Sequence, residues 1–360
     1  AVHALAALAF TGWMIAGAGW HQSLTIATAV LIITCPCALG LAVPVSQVVA
    51  AAALMKRGIL VKDGSALERF AEIDRALFDK TGTLTLGRMT PLNLDALSAE
   101  QCSVALALAQ ASRHPISRAL HHALAARGIS PASVEAVVEE KGAGVHGIWQ
   151  NMPVSLGRPG GALHGAEAAT RLSIGEARVD IRLSDSLRPD AAAAIARLDA
   201  LGVPASIISG DRKEAVDEVA AALGLGARAH ALPQDKISEI RALQAEGHKV
   251  LMVGDGLNDG PALAAATASM APSSATDMGQ QAADAVFTGD SLLAVPVMLS
   301  AARRTMTVVR QNFALAIGYN ILAVPLALAG MVTPLVAAIA MSTSSVLVVA
   351  NALRLTSAAR

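Results

Sequence analysis

The sequence predicts a parallel, doubly wound α/β unit that carries a smaller inserted α+β domain and is anchored by four transmembrane α-helices. Three observations predict it. Residues 1–55 and 311–353 contain no Asp, Glu, Lys or Arg, and about 20 apolar residues suffice to cross the hydrocarbon of a bilayer. Of the 28 basic and 28 acidic residues, all but Arg354 and Arg360 lie between Lys56 and Arg310, so the middle of the chain reads as an ordinary soluble unit. Within that middle, short apolar runs ending in Gly/Asp turns alternate with amphipathic stretches, the pattern of parallel strands under covering helices. The balanced charge lacks the electrostatic footprint of a nucleic-acid binder, and 54% hydrophobic residues exclude disorder. Three cysteines do not make a disulfide scaffold.

In chain order, residues 1–55 hold two spans, at 1–18 and 24–49. Gly19 to Ser23 joins them, with Trp20 suited to a membrane interface. Residues 303–360 hold the other two, at 311–329 and 335–353, with Gly330 and Pro334 marking the turn. Lys56, Arg57 and Lys62 follow the second span, Arg303, Arg304 and Arg310 precede the third, and Arg354 and Arg360 follow the fourth. By the positive-inside rule the soluble unit and the C-terminus are cytoplasmic, in a multi-pass protein of the cell (inner or plasma) membrane whose first partner is the lipid bilayer. Four buried helices of a large soluble protein are the alternative, but buried helices seldom lack charge over two spans. The chain opens at Ala1 inside an apolar segment, without a start Met or a basic n-region, and reads as a fragment and not as a signal peptide.

Residues 56–88 and 178–302 form the α/β unit, with strands at 75–78, 178–183, 205–208 and 250–253 and helices at 191–201, 214–223 and 236–246. Residues 89–177, with helical and Gly-rich parts, form the insert. Ligands of parallel sheets sit beyond the carboxyl ends of the strands, where Asp79, Ser209-Gly210-Asp211 and Gly254-Asp255-Gly256 fall.

Those positions carry chemistry. In Asp79-Lys80-Thr81-Gly82-Thr83-Leu84-Thr85 a carboxylate follows the strand directly, and a Gly and hydroxyls leave its approach open. Such a carboxylate can attack a phosphoryl group and form an acyl phosphate. Gly254-Asp255-Gly256-Leu257-Asn258-Asp259 adds two carboxylates four apart, suited to a hard Mg2+. Ser209 and Lys236 would bind and neutralise phosphoryl oxygens. Any one of these turns alone is an ordinary loop; all of them in this order point to phosphoryl transfer.

With these motifs the chain resembles the P-type ATPases, and within them the heavy-metal-transporting group, along residues 1–360. The resemblance implies a Rossmann-like, haloacid-dehalogenase-like phosphorylation domain with an inserted nucleotide-binding domain. It implies ATP and Mg2+ as cofactors and Asp79 as the phosphorylated nucleophile. It places Asp79, Asp255 and Asp259 at magnesium, with Lys80, Thr81, Thr83, Ser209, Gly210, Asp211, Lys236 and Asn258 around the phosphate. Asp185-Ser186-Leu187-Arg188-Pro189-Asp190 resembles the hinge between the two domains. In the insert His114, Pro115, Gly142 and Gly144 match the residues the family uses around ATP, although Arg113 and Ala109 stand where acidic residues are common.

Cys35-Pro36-Cys37 lies within a span, where Pro36 removes a backbone donor and opens the helix. Soft sulfur ligands select Cu(I) and, less exclusively, Zn(II). Tyr319-Asn320 and Met341-Ser342-Thr343-Ser344-Ser345 resemble the pattern of the copper branch, which implies Tyr319, Asn320, Met341 and Ser345 as further ligands beside Cys35 and Cys37. Zinc and cadmium exporters of the group carry a Lys and an Asp in these spans, and no charge is present here. Runs such as Ser112-Arg113-His114-Pro115 look most like the FixI/CcoI-type copper ATPases tied to cytochrome oxidase assembly. That resemblance implies ATP-driven Cu(I) export, with a copper chaperone or acceptor protein as partner. It also implies an actuator domain and transmembrane helices upstream, since no Thr-Gly-Glu occurs in the chain. The rivals are a Zn/Cd exporter, a membrane-anchored phosphatase with an aspartate nucleophile, and a metal-binding fragment without turnover. Such phosphatases carry an acid two residues after the nucleophile, where this chain has Thr81.

Overall fold

The computed structural model of the protein describes residues 2–140, 144–159, 168–256 and 259–357. The chain divides into two compact units: Ala1–Ile73 with Asp284–Phe287 and Ala294–Arg360, and Asp74–Ala283 with Thr288–Leu293. The first begins with α1 (Val2–Ile15), α2 (Gly19–Ile33), α3 (Cys37–Met55), β1 (Ile59–Val61) and α4 (Ala66–Ala71). The turn into α2 comes earlier than expected. Gly17 and Gly19 take φ of +84° and +78°, a region that only glycine enters without strain, so the chain reverses there and Trp20 lies within α2. Trp20 meets Phe10 edge-on, ring centroids 5.4 Å apart. α2 stops at Ile33 and α3 begins at Cys37, so the Cys-Pro-Cys run is a break between two helices. Four spans of full length were expected. Among the described residues three apolar helical stretches are long enough to cross, Gly19–Met55, Ala294–Leu328 and Pro334–Thr356, and α1 has only 14 residues.

The second unit holds β2 (Arg75–Phe78), β3 (Thr85–Pro91), α5 (Ala99–Gln110), α6 (Pro115–Ala126), β4 (Glu135–Glu140), β5 (Gly144–Trp149), β6 (Met152–Gly157), β7 (Ala168–Ile174) and β8 (Ala177–Leu187). It continues with α7 (Ala191–Ala200), β9 (Ala205–Ile208), α8 (Lys213–Leu223), β10 (Gly226–Arg228), α9 (Pro233–Ala245), β11 (Val250–Val253), α10 (Gly260–Ala265), β12 (Ala268–Pro272) and α11 (Asp277–Ala282). Parallel pairing runs β12-β11-β2-β9-β10. β11 is buried at all four residues because both faces of this sheet are covered, which is why it reads as an unbroken apolar run.

Residues 178–183 do not join that sheet. They lie in β8, which pairs antiparallel with β3 and β7 in a second sheet ordered β3-β8-β7-β6-β5-β4. Alternation in β8 buries Ile181 and Leu183, but a buried face does not reveal which neighbour a strand pairs with. The insert's sheet therefore reaches from Thr85 to Leu187, beyond the expected 89–177 on both sides. α5 and α6 cover it through Val104, Leu108, Leu120 and Leu124, packed with Val145, Leu156 and Leu172. Ser98 and Gln101 close a capping box at the start of α5.

The first unit resumes with β13 (Ala285–Phe287), antiparallel to β1, followed by α12 (Ala294–Leu328) and α13 (Pro334–Leu353). α12 begins nine residues before the boundary expected at 303, and Arg303 Nη2 donates to the Ile73 carbonyl at 2.8 Å within the same unit. Small residues let the helices approach: Ala6, Ala9, Ala29, Ala327 and Ala337 form one cluster, and Ala38, Ala42, Ala316 and Val348 another. Leu8, Leu31, Leu322 and Leu347 remain exposed, as lipid-facing side chains must.

Candidate active site

Asp79 follows β2, its backbone N–H still donating to the Val253 carbonyl of β11 at 2.9 Å, so the parallel ladder itself positions the carboxylate. The loop behind it turns at Gly82 with φ +70°, and a Cβ there would come within 3.0 Å of Asp255 Oδ2. A Cβ on Gly254 would likewise press on Asp259 Oδ2, at 2.8 Å. These glycines leave room for the acids. Oxygens of Asp79, Asp255 and Asp259 come within 4.8 Å of one another.

One cation answers this cluster. Lys236, on the first turns of α9 and 4% exposed, donates from Nζ to Asp79 Oδ1 at 2.7 Å and to Asp259 Oδ1 at 2.6 Å. Burial works against its charge, but Asp79 and Asp259 outweigh burial and hold the ammonium above its ordinary pKa. Asp79 is pushed up to about 7, by burial first and by the Asp259 carboxylate second, against the pull of Lys236. The second oxygen of Asp259, Oδ2, is buried and has no hydrogen-bond partner, as is Thr83 Oγ1. Three crowded carboxylates, one ammonium and an orphaned buried oxygen fit a hard divalent cation such as Mg2+, which takes oxygen ligands.

The rim is organised by Asp211. Burial pushes its carboxyl up, but Lys80 and Thr81 outweigh this and hold it below the usual range. Lys80 Nζ lies 2.7 Å from Asp211 Oδ2, and Thr81 Oγ1 donates to the same oxygen at 2.9 Å. Ser209 Oγ accepts from Asp211 N–H at 3.2 Å. Asp79, Thr81, Ser209, Gly210, Asp211, Lys236, Asp255 and Asp259 thus line one cavity of 400 Å3, while Lys80 and Thr83 sit behind it, buried. Asn258 lies outside the described residues.

Arg188 was expected only as a member of the hinge, and its role in the site is decided by the fold. Its Nε donates to the Thr83 carbonyl at 2.7 Å and its Nη2 to the Gly82 carbonyl at 3.1 Å, so a buried guanidinium clamps the loop that follows Asp79. Asp185 of the same run accepts from Thr85 Oγ1. The signal in the sequence was an Arg in a polar turn, which does not name its partner.

In the insert, His114 caps α6. Its Nδ1 accepts from Ile116 N–H at 3.3 Å, which assigns the proton to Nε2 in the neutral ring. His114 and Gly144 line a second cavity, of 340 Å3, with Ser112, Glu139 and Leu156, and Ser112 Oγ donates to Glu139 Oε1 at 2.6 Å. A side chain at Gly144, φ +133°, would strike the Leu156 carbonyl at 2.3 Å. Gly142 lies outside the described residues. Pro115 does not face this cavity. As the first residue of α6 it lines a different groove with Met89, Arg118 and His122, because the residue after a cap points away from the residue that caps.

Cys35 and Cys37, expected as thiolate ligands, flank Pro36 with their Cα atoms 5.5 Å apart; a single residue between them brings both sulfurs to one point. Tyr319 and Asn320 follow Ala316 on α12 by one turn, and Ser345 and Met341 precede Val348 on α13 by one and two turns. Cys37 immediately precedes Ala38. Since Ala38, Ala316 and Val348 pack together, the expected ligand positions all lie to one side of that cluster. Tyr319 Oη is buried there without a hydrogen-bond partner, Asn320 Nδ2 donates to the Ala316 carbonyl at 2.9 Å, and Ser345 Oγ to the Met341 carbonyl at 3.2 Å.

Replacing Lys236 by Met should leave the carboxylates buried without their cation. That loss costs about 3–5 kcal/mol, or a thermal midpoint roughly 10 °C lower at pH 8 in EDTA. Mg2+ should narrow the deficit. An unchanged midpoint in a detergent-solubilised melting experiment would remove Lys236 from this role.

Residues 73–267 match the family model of haloacid dehalogenase-like hydrolases. The chain is 50% identical over 365 residues to nitrogen fixation protein FixI of Rhizobium leguminosarum bv. viciae, covering 98% of this chain and 48% of that protein. It is 38% identical over 378 residues to cation-transporting P-type ATPase B of Mycobacterium tuberculosis (strain ATCC 25618 / H37Rv), covering 98% and 50%. Among solved structures, a zinc-transporting PIB-type ATPase in the E2.Pi state superposes with a TM-score of 0.83 at 32% identity, covering 99% of this chain and 62% of that one. The chain spans about half the length of the curated relatives it matches.

Proposed function

Because the chain belongs to the haloacid dehalogenase-like hydrolase family and is similar along nearly all its length to P-type ATPases, we propose that it carries the catalytic and ion-binding region of an ATP-driven Cu(I) exporter working through an aspartyl phosphate. The observation that carries this reading is the Asp79 carboxylate, buried at the end of β2 and held by Lys236 among the carboxylates of Asp255 and Asp259. An Asp79 oxygen attacks the γ-phosphorus of ATP, the bond from that phosphorus to the bridging oxygen breaks, and ADP leaves with the electron pair. Lys236 offsets charge gathering on the transferred group, and Ser209 stands on the same cavity wall to donate to its oxygens. Mg2+ held by Asp79, Asp255 and Asp259 would supply further neutralisation of the phosphoryl oxygens. ATP's base would lie in the cavity of His114 and Gly144.

Thr81 separates a pump from a phosphatase. Its hydroxyl is engaged with Asp211 and cannot serve as a general acid or base near neutral pH, so the acyl phosphate should persist until another group hydrolyses it. Incubation with γ-labelled ATP and Mg2+ should leave acid-stable, hydroxylamine-labile label on the protein. Label resistant to hydroxylamine would place the phosphate on a hydroxyl and overturn the reading.

Two cysteines at a helix break, Met341 on the facing helix and spans without charge favour Cu(I) over Zn(II). The zinc transporter that superposes on this chain makes Zn(II) the competitor to test against. A role in cytochrome oxidase assembly, a copper chaperone or acceptor as partner, and coupling to an actuator domain belong to the same proposal and rest on the FixI-type resemblance.

A further inference from the structure

A groove of 710 Å3 runs between α12 and α13, and we propose that it is a binding site for one anionic phospholipid of the cytoplasmic leaflet. Its two ends differ in chemistry. Gln311 and Arg354 form one end and stand at the two boundaries where the charge-free stretch 311–353 gives way to basic residues, which is the depth of the headgroups. Deeper by a turn or two, Ala314, Leu315, Leu347 and Ala350 line the other end, and Leu315 and Leu347 are 50% and 54% exposed, an apolar wall shaped for an acyl chain.

The polar end is held in place from within. Arg354 Nη1 donates to Asn351 Oδ1 at 3.0 Å, and Asn351 Nδ2 donates to Gln311 Oε1 at 3.3 Å and to Asn312 Oδ1 at 2.9 Å. Asn312 is fully buried, and its Nδ2 reaches Ser46 Oγ of α3 at 3.5 Å. A buried amide between three helices fixes where Arg354 projects. The charge is one-sided as well: residues 294–357 contain four Arg and no Asp or Glu. A phosphodiester with an uncompensated negative charge complements this end, whereas a zwitterionic headgroup brings its own cation against the guanidinium.

Native mass spectrometry of the full chain in detergent, titrated with phosphatidylglycerol and separately with phosphatidylcholine, tests the site. Phosphatidylglycerol should be retained about fivefold more tightly. Arg354→Gln should bring the two lipids level, and Ala350→Trp, which fills the apolar wall, should release both. Arg304→Gln, a change of the same charge away from the groove, should leave the preference standing. Equal retention of the two lipids, or a preference that survives both Arg354→Gln and Ala350→Trp, would overturn the proposal, and would leave the phosphorylation reading untouched because no nucleotide enters the measurement.

Discussion

An Asp79→Asn protein incubated with γ-labelled ATP and Mg2+ should take up label at background level, a loss on the order of 10⁴-fold in phosphoenzyme formation. The amide keeps the shape of the carboxylate but has no nucleophilic oxygen, so the step is removed and the fold is kept. Stability separates these two effects. With a folded-state pKa of about 7 against an ordinary 3.8, Asp79 holds its proton more tightly folded than unfolded, and its contribution to stability falls as pH rises from about 4 to about 7. In EDTA the Asp79→Asn protein should therefore gain on the unchanged protein as pH rises, and melt higher at pH 8 than it. A variant that melts lower at every pH would show that lost label reflects lost fold. Label that persists in a folded Asp79→Asn protein would put the nucleophile elsewhere.

Cys35→Ser and Cys37→Ser should each weaken Cu(I) binding by the reduced protein by more than the roughly 100-fold that loss of a supporting residue around a metal costs, because each removes a ligand outright. Nucleotide binding should not change, since Ser112, His114 and Gly144 belong to the other compact unit. Met341→Leu nearly keeps shape and should weaken Cu(I) less, without lowering the melting midpoint. Competition between Cu(I) and Zn(II) on purified protein, read with a chelator of known affinity, decides the metal. A clear preference for Zn(II), or Cu(I) affinity unmoved by both serine variants, would remove the copper reading.

Much of the site was legible because its residues are local to strand ends. A carboxylate immediately after an apolar strand is delivered to the carboxyl edge of a parallel sheet by the backbone alone, so Asp79, Ser209 and Asp255 could be placed before any contact was known. Lys236 could be suspected from its motif, but that one ammonium bridges Asp79 and Asp259 depends on how α9 packs beside β11. Asn258 and Gly142 lie outside the described residues, and the pairing of the insert with ATP belongs to the proposed function.

The sequence by itself determined what periodicity and charge can encode: apolar stretches long enough for a bilayer, strands that end in acids, a helix that must open at Pro36, and spans without a charge to bind a hard ion. Those are properties of a segment and its solvent. Only the tertiary structure decided which segments meet. It moved β8 out of the parallel sheet and into the insert, because alternation marks a buried face and not its partner. It turned Arg188 from a hinge residue into the clamp on the loop after Asp79, since its carbonyl partners lie more than a hundred residues away. It sent Pro115 to a different groove from His114 and tied Ser46, Asn312 and Asn351 into one hydrogen-bonded chain across three helices. Hydrogen-bond partners distant in sequence leave no pattern in either segment, so they appear only when the helices and strands are packed.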